Sequence, residues 1–288
     1  MATVLPTGIN AVHSPPKIPG GQYKHGMQGV CPENAPDLQL IDLYRCSLAS
    51  NNQSSGFLFT PVWNSKHERI ASYSCELPDG KSRSRKWEVP NMGAAEAQCR
   101  LDIMALASAI KGLRHVFSRG EIAAVTPTVN LETLAWSKTR NAYLKVLGQI
   151  DSKERRFLAP RIVRVEEGFN LSAIAQWTLG LRSLVDRCLL HLPNLEFEFW
   201  RAGRLGVRAI GLSAHGSAAM RNTPNSLTNE AQKLAGLCSN YCVAPYVDNV
   251  SSIAELQILQ SLGIRNIGGP VIGEPSELPN QVHSLFFL

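Results

Sequence analysis

The chain has 288 residues, of which 44% are hydrophobic and 18% charged. That is enough apolar content to bury a core and excludes a globally disordered chain. Lys and Arg number 29 against 23 Asp and Glu, and the net charge of +6 is spread along the chain, too weak to indicate a nucleic-acid polymer as partner. No apolar run approaches the roughly 20 residues that span a bilayer. The opening MATVLPTGINAVHSPPKIPGG lacks the apolar stretch of a secretory signal, so a cytoplasmic protein with no membrane partner is expected.

Residues 1–36 are rich in Pro, Gly and small polar residues without apolar period and read as a flexible tail. Residues 37–288 carry a globular pattern throughout, which predicts one domain of about 250 residues. Residues 57–63 and 69–75 are strand candidates around a polar turn at 64–68, close enough to pair as an antiparallel hairpin. A long helix is expected over 94–117, where Leu101, Met104, Ala105, Ala109, Leu113 and Val116 recur at helical spacing and Gly120 lies just beyond. Strands are then expected at 123–131, 158–165, 187–192, 207–213, 241–246 and 264–268, and helices at 142–149, 171–184, 229–237 and 253–262. Strands alternating with helices predict a mostly parallel sheet. Eight such strands point to a closed (β/α)8 barrel, a TIM-barrel-like α/β fold, with its chemistry at the C-terminal strand ends.

Several motifs are excluded. There is no G-x-G-x-x-G and no G-x-x-x-x-G-K-[ST], so a nucleotide-phosphate loop has no support. His67-Glu68 opens like a zinc-protease helix, but Ala71 stands where the second His belongs, which leaves a turn. Seven scattered cysteines fit a reducing compartment better than a disulfide framework. The one close pair, Cys238 and Cys242, lacks a second pair at zinc-ligand spacing, and helical spacing would put both thiols on one buried face. The basic run at residues 81–86 reads as a solvated loop. Gly211-Leu-Ser213-Ala-His215 resembles the start of a G-x-S-x-G nucleophile elbow, with Asp248 and His283 following in the order Ser, Asp, His. His215 stands where the tight turn needs Gly, so a serine hydrolase is only a rival reading.

The strand-end sequences over residues 38–278 resemble the EAL domain family of bacterial cyclic di-GMP phosphodiesterases. Its most specific stretch runs from Ser251 through Pro270 and is similar to the family's closing helix and "QG" strand. Phe59-Thr60-Pro61-Val62 resembles the opening "yQPI", Leu101-Asp102 the "LD" of the long helix, and Val129-Asn130-Leu131 the "VNL" after the third strand. The resemblance implies an EAL fold whose first two strands run antiparallel. It also implies a reaction in which two divalent metals, clamped by several carboxylates, activate water at a phosphodiester.

The residues at those positions argue against that reaction here. The resemblance places the signature Glu of "E-A-L" at Ser74, with Glu76 two residues on. It retains the ligand Asn as Asn130, which has the alternative of merely satisfying backbone groups at a strand end. The "E-I-T-E" acids fall at Arg161 and Arg164, the paired Asp of "DDFG" at Leu190 and His191, and the "K-I-D" Lys and Asp at Gly211 and Ser213. Asp248 conserves the last acid, while the family's two ligand-side Gln positions are Thr60 and Gly268. One Asn and one Asp cannot hold two hard cations, and an inward Arg opposes them. Because Arg161 and Arg164 lie three apart, a pleated strand aims them at opposite faces and only one lines the mouth. The expectation is therefore a degenerate EAL-like domain without catalysis, metal or cofactor. It would serve as a protein-binding regulatory module in bacterial signalling, with a homodimer admitted by the family's habits. A metal-independent cyclic di-GMP sensor is the alternative, and an active phosphodiesterase a weaker one. The candidate mouth positions are Thr60, Ser74, Asn130, Arg161, Arg164, His191, Gly211, Asp248 and Gly268.

Overall fold

The computed structural model describes residues 40–49, 56–78, 93–164, 171–195, 206–215 and 226–280. The expected tail at 1–36, the basic run at 81–86 and His283 lie outside these residues.

Eight strands close into a barrel in sequence order. β1 (Leu58–Asn64) and β2 (Arg69–Glu76) form the expected antiparallel hairpin. The Asn64 carboxamide oxygen accepts from the backbone N–H of Lys66 and of His67, each at 3.1 Å, and Glu68 takes a φ of 49°. His67-Glu68 is thus a turn, as its sequence implies. β1 also pairs antiparallel with β8 (Asn266–Gly268), which closes the barrel. The strands between run parallel from β2 through β3 (Ala124–Asn130), β4 (Arg161–Val163), β5 (Leu189–His191), β6 (Ala209–Ser213) and β7 (Ala244–Asp248) to β8.

The helices wrap this cylinder. α1 (Leu40–Ala49), which no sequence signal announced, packs on α2 (Ala94–Ser118) and buries Tyr44. α2 ends in a Schellman motif: Gly120 takes a φ of 72° and donates to Phe117, while Glu121 donates to Val116. The short α3 (Leu131–Ala135) begins directly at the end of β3 and leads into α4 (Ser137–Gln149) and the single turn α5 (Ser152–Arg155). α6 (Leu171–Arg182) and α7 (Ser226–Asn240) follow the expected pattern. α8 (Ile253–Ser261) is held by a capping box between Ser252 and Glu255.

Two expectations are corrected at the boundaries. β7 starts at Ala244 rather than at 241, because Tyr241 and Cys242 form the turn after α7 and Cys242 has a φ of 56°. Cys238 and Cys242 consequently do not share a helical face: the first is buried and the second exposed, and neither is in a disulfide. β4 is likewise shorter than expected, with Leu158 contributing only an isolated bridge to Val125.

The alternation along the strands separates two environments. Outward positions such as Phe59, Tyr73, Val125, Ile162, Ile210 and Ile267 are buried under the helices and form the main core. Inward positions are mostly small or polar, with Tyr246 the large exception. Gly211 lies opposite it in the β6–β7 register, and a Cβ there would fall 2.4 Å from Cε2 and Cζ of that ring. The ring cannot retreat without losing its hydroxyl contacts, 3.3 Å to the Leu190 carbonyl and 3.3 Å to His191 Nδ1. Gly211→Ala is therefore expected to destabilise the barrel by about 1–3 kcal/mol, read as a fall in denaturant midpoint. The cost should vanish in a Tyr246→Ala background; equal costs in both backgrounds would contradict this packing.

Candidate functional site

Strand polarity gathers the C-terminal ends of β2–β8 and the start of β1 at one mouth. The period of two aims Glu76, Asn130, Arg161, His191 and Asp248 inward there. Arg161 is the centre of the arrangement. From β4 its Nη1 donates to Asp248 Oδ2 on β7 at 2.6 Å, and its Nη2 donates to Glu76 Oε2 on β2 at 2.5 Å. The side chain is 5% exposed, against 16% for Asp248 and 39% for Glu76. Burial works against its charge, but the two carboxylates more than offset that and hold the guanidinium above its ordinary pKa. The ion pairs thus bridge the lumen from three strands.

His191 completes this side of the mouth. Its Nδ1 lies 3.6 Å from Asp248 Oδ2 and 3.3 Å from the Tyr246 hydroxyl. Burial depresses its pKa, with the nearby guanidinium adding to that and Asp248 opposing it. The imidazole is neutral near pH 7 and sits as a hydrogen-bonded rim histidine.

A second polar pair occupies the opposite wall. Asp102 on α2 is buried; its Oδ2 accepts from the Asn130 backbone N–H at 2.9 Å and its Oδ1 from Asn130 Nδ2 at 2.8 Å. Gln98 Nε2 donates to the same Oδ1 at 3.0 Å. Burial pushes the Asp102 carboxyl up to about 6, against the pull of these hydrogen bonds. Asn130 is therefore held by a side chain of the long helix. Its own carboxamide oxygen is buried with no partner.

The remaining candidates are dispersed. Thr60 pairs with Ser74 in the β1–β2 register, and Ser74 Oγ donates to the Thr60 carbonyl at 3.5 Å. Ser74 lines the lower lumen, while Glu76, two residues on, is the acid of β2 that reaches the mouth. Arg164 corrects an expectation. β4 ends at Val163, and Arg164 takes a φ of 57°, so strand alternation no longer governs it. It is exposed, yet it lines the mouth beside Arg161. Gly268 faces the lumen against Val62 and Asp248. Ser213 Oγ accepts from Asn249 Nδ2 at 2.8 Å. His215 meets Ser251 at 3.3 Å and Glu255 at 3.4 Å. Asp248 gives one carboxylate oxygen to Arg161, so these contacts assemble no hydrolase triad among the described residues.

The mouth encloses a pocket of about 360 Å³ lined by Glu76, Asp102, Asn130, Arg161, Arg164 and Asp248 among others. A divalent cation needs several oxygen ligands converging on one point. Here the space between Glu76 and Asp248 holds a guanidinium. Among the described residues no group of three or more His, Cys, Asp or Glu is placed to hold a metal ion. The donor set does not fit a pair of hard cations.

No family model and no curated protein sequence matches the chain. Solved structures do. An EAL domain protein from Listeria monocytogenes EGD-e is similar over 84% of this chain and 95% of its own, at 12% identity and a TM-score of 0.55. The FimX EAL domain matches over 83% and 96%, at 18% identity and a TM-score of 0.58. The Xanthomonas citri FimX EAL domain, solved in complex with c-diGMP, matches over 85% and 96%, at 12% identity and a TM-score of 0.59. Together with the closed barrel and its reversed first strand, these likenesses show that the chain has the EAL (β/α)8 fold.

Proposed function

We propose that the chain is a non-hydrolytic EAL-like domain that acts as a protein-binding regulatory module in bacterial signalling. The observation that carries this reading is the Arg161 guanidinium lodged between Asp248 and Glu76. Metal-assisted hydrolysis needs concentrated negative charge that a cation neutralises while it activates water. In this mouth the positive charge comes from a side chain, which has no open coordination position and cannot lower the pKa of a bound water.

Binding of cyclic di-GMP without metal is the second reading, and exposed Arg164 at the mouth is what favours it. The electrostatics weigh against it. A ligand with two phosphates would meet Glu76 and Asp248 beside an arginine whose single charge they more than offset. Thr60, Gly211 and Gly268 offer no long polar side chain to a base. Among the described residues no helix is long and apolar enough to cross a membrane.

Two outcomes follow. Purified protein with cyclic di-GMP and Mg²⁺ or Mn²⁺ should release no linear dinucleotide, and calorimetry should show no binding heat at ligand concentrations up to about 0.5 mM. Linear product lost in Asn130→Ala would overturn the non-hydrolytic reading, whereas saturable heat without turnover would favour the sensor. Arg161→Met leaves two carboxylates facing each other across the lumen, and should cost about 3 kcal/mol of stability near pH 7. The deficit should narrow when Glu76→Gln and Asp248→Asn remove the unpaired charges; an undiminished deficit would show that the guanidinium acts by packing alone.

A further inference from the structure

A second cavity, of about 690 Å³, lies in the barrel below the Arg161 bridge and opens at the N-terminal ends of the strands. Barrels of this type ordinarily fill their lumen with layers of bulky branched side chains, since an unfilled interior forfeits packing. Here Val62 and Leu189 are branched, but most inward positions carry small residues: Ser72, Ser74, Ala124, Thr126, Ala159 and Ala209. Arg161 and Tyr246 form the ceiling, and Arg161 and Asp248 line this cavity and the mouth alike. The ion-paired guanidinium is thus a partition between two chambers.

The entrance to the lower chamber is charged. Arg187 precedes β5 and Arg208 precedes β6, and the Arg208 backbone N–H donates to the Cys188 carbonyl at 2.8 Å, so the two arginines stand at neighbouring strand entrances. Both are exposed and both line the cavity, together with Asp186. Among the described residues neither arginine makes an ion pair or a side-chain hydrogen bond, and Asp186 makes no ion pair with either. Two unpaired guanidinium groups on one rim recognise an oxyanion. The walls above them are small and largely apolar beneath an aromatic ring, and the volume falls in the range of small-molecule sites.

We propose that this lumen is a binding chamber for a small organic anion, with a phosphate or carboxylate head between Arg187 and Arg208 and a compact apolar body in the space that Ala and Ser leave open. The ceiling's single positive charge is more than offset by the two carboxylates of Glu76 and Asp248. The head group therefore belongs at the entrance and the body beneath the Tyr246 ring. The chamber is separate from the mouth and holds whether or not the mouth binds a nucleotide.

Calorimetric titration of the whole chain with phenyl phosphate, benzoate and inorganic phosphate tests this. At least one organic anion should bind saturably, about tenfold or more tighter than inorganic phosphate, and the tighter of the two identifies the head group. The double variant Arg187→Gln/Arg208→Gln should weaken that binding by about tenfold or more. Ala209→Leu, or Ser72→Leu should the first fail to fold, should abolish it by filling the lumen, while Arg164→Gln at the mouth should leave it unchanged. The proposal is overturned by no saturable binding up to about 10 mM, by inorganic phosphate binding as well as the organic anions, or by affinity that survives both the arginine and the lumen variants.

Discussion

The structure turns on one buried cation. Arg161 crosses the barrel lumen from β4 and is held by Glu76 from β2 and Asp248 from β7. A guanidinium placed in such an interior without partners would be strongly unfavourable, and so would two facing carboxylates without a cation. Each group makes the others tolerable. Its planar fork reaches two acids at once, which a lysine ammonium would do less well. Burial is the main cause that keeps His191 neutral and Tyr246 protonated; Asp248 opposes the first and supports the second, while Arg161 does the reverse.

The bridge also explains how the interior is divided. Above it lies the mouth, with the Asp102–Asn130 pair on its far wall. Below it lies a lumen walled by small residues. Tyr246 is the one large ring on the inner surface of β7, and Gly211 exists at its position because the ring takes the space a Cβ would need. Stability comes from the outer shell, where the outward strand faces meet the helices. That leaves the inner shell free to be polar, hollow and charged.

Part of this is legible in the sequence. Hydrophobic period located α2 and the strand order, and glycine at 120 marked the helix end that the Schellman motif confirms. The turn at His67-Glu68 follows from local pattern, whereas local pattern does not say which of Arg161 and Arg164 faces inward. What escaped was long-range. Nothing local to Glu76 says that it meets an arginine 85 positions away, and a match by position points to Ser74 instead. Strand alternation, which would let only one of Arg161 and Arg164 line the mouth, fails one residue beyond a strand that ends in a left-handed turn. The hollow lumen was hidden for another reason. Small residues in strands are individually ordinary, and only closure of the barrel brings them to face one another.

The central claim is that the Arg161 guanidinium fills the space between Asp248 and Glu76 and leaves no seat there for a metal ion. Anomalous diffraction from crystals grown in Mn²⁺ tests it most directly. The account requires continuous density for the Arg161 guanidinium between Asp248 and Glu76, with no anomalous peak within coordination distance of either carboxylate. A manganese peak bound by Asp248, Glu76 or Asn130, with Arg161 displaced, would contradict it.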